Sequence, residues 1–221
     1  MTSSSGLLNV VGSLLNVNTD CPPYVTCKYC ISGVSYVRLT MGASDFMAES
    51  PYTYNDIDQH DTDFDLSHFS IDKDKVFVLP ILTEARAINP ELRIIATPWS
   101  APAWMKDTHT LAGGTLNHDA QYLDTYANYF LRFIQAYERE GVHIDALTVQ
   151  NEPLFSTNKY PSMNMSADLQ KAFIRDHIGP LFHQNNIHTK IIAFDHNWSD
   201  DWYPESVVED GEILYICVKQ Y

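Results

Sequence analysis

The clearest chemical cluster in the chain is Gln150-Asn151-Glu152-Pro153, which ends a strand-type run containing Ala146, Leu147 and Val149. A carboxyl group held at a strand end can serve as a general acid or base, and the amide beside it can both donate to and accept from a hydroxyl. Three other β-rich runs end in the same manner. Ser44-Asp45 follows 35–40, Trp99-Ser100 follows 93–97, and Asp195-His196 follows 190–194. The local sequence also allows a plainer reading of 150–153, a polar turn whose proline stops the strand.

Glu152 is the candidate proton donor. Shielded by Trp99 and Trp104, its charged form would be disfavoured, so that it holds a proton near neutral pH. Both tryptophans lie in TPWSAPAWMKD, where Pro98 and Pro102 stiffen the backbone. They either fill the core or present flat faces on which a sugar ring stacks. Asp45, Asp195 and His196 read as hydrogen-bond partners for hydroxyls or as supports, and His196 equally as an ordinary surface or core histidine. Arg38 sits inside an apolar strand and, if buried, wants a carboxylate.

These side chains need a frame that gathers strand ends. The runs 35–40, 93–97, 144–149 and 190–194 read as strands, and helical periods lie between them. Tyr122, Tyr126, Phe130, Phe133, Ile134 and Tyr137 make one apolar stripe closed by Gly141. Ile81, Leu82, Ala85 and Ile88 make a shorter face, with Pro80 in the first turn and Asn89-Pro90 at the end. A third helix is expected over 167–177, with Leu169, Ala172 and Phe173 inward and Gly179-Pro180 interrupting it.

Strands joined by crossover helices imply right-handed βαβ units and a parallel sheet. No glycine-rich phosphate loop follows any strand, which argues against the nucleotide-binding open sheets. Reactive groups at every strand end favour a barrel, where those ends share one face. The expected fold class is therefore α/β, a partial (β/α)8 TIM barrel holding about four to six of the eight units. Three stretches are expected: an atypical N-terminal segment (1–32), the barrel portion (33–208) and a divergent tail (209–221).

The 221 residues carry 28 acidic and 14 basic side chains, a formal net charge of −14, with no run of lysine or arginine. Nucleic-acid partners are thereby disfavoured, because phosphate binding needs clustered cations. No apolar stretch has the length of a membrane span, and the N-terminus lacks the basic region of a secretory signal. Cys27-x-x-Cys30 has no second pair at similar spacing, so a structural metal site is not expected, and Cys21 and Cys217 add no pattern.

SYVRLTMGASDF, TPWSAPAWMKD, TVQNEP and IIAFDHNW, in this order and spacing, resemble glycoside hydrolase family 30, which contains glucosylceramidases and endo-β-1,6-glucanases. The resemblance covers about 33–208. It implies a (β/α)8 barrel and a retaining mechanism with two glutamates, of which Glu152 matches the acid/base. Asn151 then contacts the sugar 2-hydroxyl, and Asp45 and Trp99 hold the glucose ring. Arg38 lies beside the nucleophile, and Tyr160 and His196 shape the cleft. No metal or organic cofactor is implied. The substrate would be a carbohydrate or a glycosphingolipid, met outside the cell or in lysosomes.

DHNW at 195–198 and YPSMNMS at 160–166 look more like the β-1,6-glucanase side. The family's nucleophile is a glutamate on the seventh strand, and Glu205, Glu209 and Glu212 do not match it, so the chain reads as truncated. Two outcomes are expected from this: a β-glucosidic hydrolase seen in part, or a catalytically incomplete remnant that at most binds carbohydrate.

Overall fold

Five short β-rich runs pair in the order in which the chain makes them. The computed structural model describes residues 34–47, 50–58, 61–209 and 216–218. Strands β1 (Tyr36–Met41), β2 (Arg93–Pro98), β3 (Ala146–Thr148), β4 (Lys190–Ala193) and β5 (Ile216–Val218) form one sheet, each parallel to its neighbour, in the order β1-β2-β3-β4-β5. Spatial order equal to chain order means that every crossover steps the same way. A doubly wound sheet would reverse direction at a switch point, whereas a barrel does not. Among the described residues β1 and β5 are free edges, so the sheet is an α/β, partial (β/α)8 barrel, as expected.

The register sorts the side chains. Leu39 and Met41, Ile94 and Ala96, Leu147, and Ile191 and Ala193 are buried against the helices. The alternate positions lie opposite one another on the inner face: Arg38 faces Ile95, which faces Ala146, and Thr40 faces Thr97. On that inner face the 3-residue β3 ends earlier than the run 144–149 suggests, although Val149 and Gln150 remain buried beyond it.

The helices follow the sequence periodicity, with three corrections. α1 (Asp72–Phe77) leads into α2 (Leu79–Ile88), where Leu79, Leu82 and Ala85 are buried but Ile81 is exposed. Leu79, Leu82 and Ala85 recur every three residues on the inward face, and Ile81, two residues after Leu79, points to the opposite side. α3 (Ala120–Arg139) buries the expected stripe from Tyr126 to Tyr137, leaves Tyr122 half-buried and adds Tyr129. It ends at Gly141, whose φ of 79° lets Gly141 N–H donate to Glu138 O (2.9 Å) and Val142 N–H to Tyr137 O (3.0 Å).

The third helix is not interrupted at Gly179-Pro180. α4 (Ala167–Ala172), capped by Ser166, passes through a π-helical stretch (Phe173–Ile178) directly into α5 (Gly179–Gln184). Pro180 follows the π-helical stretch directly, where Gly179 N–H donates to Ile174 O and the widened turn accommodates a residue without an N–H. Finally, Trp104, a candidate sugar platform, belongs to the core. A short 3-10 turn (Ala103–Met105) buries it, its indole N–H donates to Asn55 Oδ1 (2.8 Å), and Phe64 and Tyr122 pack on the ring. It therefore cannot shield Glu152.

Helix α6 (Trp202–Val208) closes the described helical layer, and Tyr203 O–H donates to Met165 O (2.7 Å). The stretch 1–32, with Cys21, Cys27 and Cys30, lies outside the described residues, as does Glu212. Part of the segment expected to be a divergent tail forms β5, which carries Cys217.

Asp74 of α1 is almost fully buried and, among the described residues, has no cation on it. Its carboxylate accepts from Tyr54 O–H (2.5 Å), Tyr137 O–H (2.5 Å) and Tyr52 O–H (3.0 Å), tying the β1–α1 segment to α3. Removing the acceptor strands hydroxyls that water cannot reach. Asp74→Ala is expected to lose about 3 kcal/mol or more of folding free energy in urea unfolding. A loss below about 1 kcal/mol would show that the three tyrosines find other partners.

Candidate active site

The inner-face residues at the strand ends converge on one oxygen. Asp195, just past β4, is 9% exposed, and its Oδ2 accepts from Arg38 of β1 and from Thr148 Oγ1 of β3 (3.0 Å). Thr97 of β2 adds a longer contact to the same oxygen (3.3 Å), and the two threonine hydroxyls lie 3.0 Å apart. Arg38 also donates from Nη2 to Asn151 Oδ1 (2.8 Å), and its guanidinium lies 4.9 Å from the centre of the Trp99 ring. Trp99 is nearly buried, so the arginine occupies part of the ring surface proposed for a sugar.

The bond from Arg38 fixes the orientation of the Asn151 amide. With Oδ1 turned to the guanidinium, Nδ2 of the half-buried Asn151 is left as a donor with no partner among the described residues. The Asn151 backbone N–H reaches Pro98 O (2.9 Å), and the next N–H, of Glu152, reaches Asp195 O (2.9 Å). Glu152 itself has φ 44°, a left-handed conformation uncommon outside glycine. Its carbonyl accepts from Phe155 N–H (2.8 Å), so a tight turn follows at once. The carboxyl side chain is half-buried and accepts no hydrogen bond from the described residues.

Of the residues singled out in the sequence, Arg38, Trp99, Asn151, Glu152 and Asp195 thus come together, with Asp195 in the supporting role read for it. Arg38 is not fully buried: its side chain is 39% exposed, because the inner face of β1 is uncovered among the described residues. Asp45 lies exposed in the turn after β1. Tyr160 is half-buried in the loop after β3, and neither it nor Asp45 bonds to the cluster. His196 is half-buried beside Phe194, and its Nδ1 is buried with no hydrogen-bond partner among the described residues. No group of three or more His, Cys, Asp or Glu among the described residues could hold a metal ion. No helix among them is long and apolar enough to cross a membrane.

Thr97, Thr148 and Lys106 were not singled out. The threonines carry a signal, a polar residue at the last inward position of each strand. Lys106 carries none, since it follows Met105 and precedes Asp107 like any surface lysine. It is nevertheless 1% exposed, and its ammonium donates to Ser100 Oγ (2.8 Å), Leu111 O (2.9 Å) and Ser162 O (2.9 Å). Burial pushes this ammonium down to about 7, opposed by the neighbouring Asp107 carboxylate.

Residues 26–214 match the Glycosyl hydrolase family 30 TIM-barrel domain, and the chain belongs to that family. The matched stretch begins before and ends after the 33–208 read from the motifs. An Endo-1,6-beta-D-glucanase of Neurospora crassa is 38% identical over 174 residues, covering 78% of this chain and 36% of that enzyme. The Lysosomal acid glucosylceramidase of Mus musculus is 29% identical over 174 residues, covering 74% of this chain and 33% of that enzyme. A solved endo-beta1,6-glucanase superposes with a TM-score of 0.81 at 31% identity, over 98% of this chain and 46% of that one. The chain thus spans between a third and a half of the length of these relatives.

The lowered Lys106 sets a direction for stability against pH. Between about 7 and the ordinary 10.5 the unfolded chain binds a proton there that the folded chain does not. Stability from this group therefore rises with pH across that window and is flat below it. Relative to Lys106→Met, which cannot titrate, the wild type should gain up to about 1.4 kcal/mol per pH unit from pH 7 to 10. Urea unfolding of both proteins at several pH values measures this, and a constant difference would place an ordinary lysine at 106.

Proposed function

We propose that Glu152 is the general acid/base of a retaining hydrolase of β-glucosidic bonds. The observation that carries the reading is the left-handed turn that lifts this one carboxyl from the end of β3, beside an asparagine whose Nδ2 is left free to donate. In such a reaction Glu152 gives its proton to the glycosidic oxygen as the bond to C1 breaks, while a second carboxylate bonds to C1. Water then releases the sugar, giving a proton back to Glu152. Asn151 Nδ2 is suited to the sugar 2-hydroxyl, a contact that strengthens in the transition state.

Asp195 is unsuited to be the second carboxylate, since its Oδ2 already accepts from Arg38, Thr148 and Thr97. Glu205, in α6, and Glu209, just after it, are exposed on the helical layer. Arg38 fits the expected role beside the nucleophile, because its Nε and Nη1 have no partner among the described residues. The similarity to endo-1,6-glucanases supports a β-1,6-glucan as substrate, with glucosylceramide as the related choice. Trp99, Asp45, Tyr160 and His196 belong to the proposed cleft, and an extracellular or lysosomal place of action belongs to the same proposal.

One observation favours a second reading, a chain that binds β-glucan without cleaving it: the carboxylate placed in the cluster is spent on holding the strands together. Isothermal titration with a β-1,6-gluco-oligosaccharide, with product analysis, separates the two. Heat without product supports binding alone, and no heat at millimolar ligand sinks it.

The acid/base role has its own test in the full-length product of the gene. Glu152→Gln should lower hydrolysis of β-1,6-glucan at least about 100-fold. An aryl glucoside with a good leaving group needs no proton for the first step, so azide should rescue the variant and yield a β-glucosyl azide. Undiminished glucan hydrolysis by the variant would remove Glu152 from the mechanism.

A further inference from the structure

We propose that Lys106 is a positioning residue for the Glu152 reaction, a single ammonium that clamps both chain flanks of the Glu152 turn. The inference rests on the acid/base reading for its effect on catalysis, and on geometry alone for the clamp. One arm runs through Ser100. The residue before it, Trp99, carries Arg38 over its ring and accepts at its carbonyl from Gln150 Nε2 (2.9 Å), two residues ahead of Glu152. The other arm runs through Ser162. Three residues on, Met165 N–H donates to Pro153 O (2.9 Å), directly after Glu152.

Between the arms the two loops are zipped together. Leu111 O accepts from Lys106 and from Ser162 N–H (3.1 Å), Gly114 O from Asn164 N–H (2.9 Å), and Ser162 Oγ from Gly113 N–H (3.1 Å). All three acceptors of the ammonium are neutral oxygens. Among the described residues no carboxylate forms an ion pair with Lys106, so it is not there to satisfy a buried anion. Burying this amine is costly, most of all when it is protonated, and its three hydrogen bonds answer a need of the surrounding chain. Here that need is the alignment of the β2 and β3 loops on either side of a strained glutamate. Misplacing a catalytic group by an ångström can cost about 100-fold in rate.

The test uses Lys106→Met and Lys106→Ala in the full-length product of the gene, well below their melting temperatures. Lys106→Met keeps the volume and loses all three bonds, and kcat for β-1,6-glucan should fall about 100-fold with KM changed less than about threefold. In Lys106→Ala the missing side chain leaves room for propylammonium, which should restore kcat, while 1-propanol should not. A purely packing role would instead be rescued by both or by neither. Hydrogen exchange at the Asn151, Glu152 and Met165 amides reads the clamp without any substrate. Faster exchange in Lys106→Met supports it, and unchanged exchange overturns it. If the wild type hydrolyses nothing, the acid/base reading fails while the exchange result still decides the clamp. Unchanged kcat in a folded Lys106→Met variant would overturn the positioning role.

Discussion

Four strands meet at one carboxylate oxygen. Asp195 follows β4, and its Oδ2 draws in Arg38 from β1, Thr97 from β2 and Thr148 from β3. An anion this far removed from water needs donors around it, charged or neutral, and each of the three neighbouring strands supplies one. The ladder bonds within the sheet fix register but leave the upper ends of short strands free to splay. β3 has only 3 residues, so the polar knot above it does much of the holding. Arg38 passes the constraint on, to the Asn151 amide and to the Trp99 ring.

The same end of the sheet stores backbone strain. Glu152 and Phe194 both take left-handed φ values, 44° and 54°, and neither is glycine. Each such residue costs about 1–3 kcal/mol and survives only where its surroundings over-determine it. Phe194 N–H is held by the buried Gln170 Oε1 (3.0 Å), and Glu152 is held through its N–H by Asp195 O and through its carbonyl by Phe155. The zipped loops around Lys106 brace the Glu152 turn from outside the sheet. Strain at the catalytic candidate and a costly buried cation nearby are two parts of one rigid arrangement.

Much of this was legible because it depends on local pattern. β-branched runs gave the strands, the spacing of aromatics gave α3, and polar residues after each strand pointed to a shared face. What escaped depends on direction and partnership. Trp104 and Trp99 share a segment, yet a single 3-10 turn sends Trp104 into the core against Asn55. Gly179-Pro180 contains the usual breakers, but the π-helical stretch before it widens the turn and lets the helix continue through Pro180. Arg38 has the carboxylate partner that its place in an apolar strand suggests, yet the open inner face leaves it partly exposed. Lys106 could not be found at all, since its three acceptors come from positions up to 56 residues away and follow no spacing rule.

The electrostatics of the mouth select a kind of ligand. The chain as a whole is strongly acidic, with a net charge of −14, and that field acts on any approaching ion out to roughly the 8–10 Å over which salt screens it. At closer range the inner face offers donors: Asn151 Nδ2, and the Nε and Nη1 of Arg38, whose positive charge is largely balanced by Asp195. A free anion would be repelled by the chain and would find the arginine already paired. A neutral polyhydroxyl compound pays no such long-range cost and still satisfies the donors at contact. The proposed glucan meets both conditions, and a phosphorylated sugar of the same size does not.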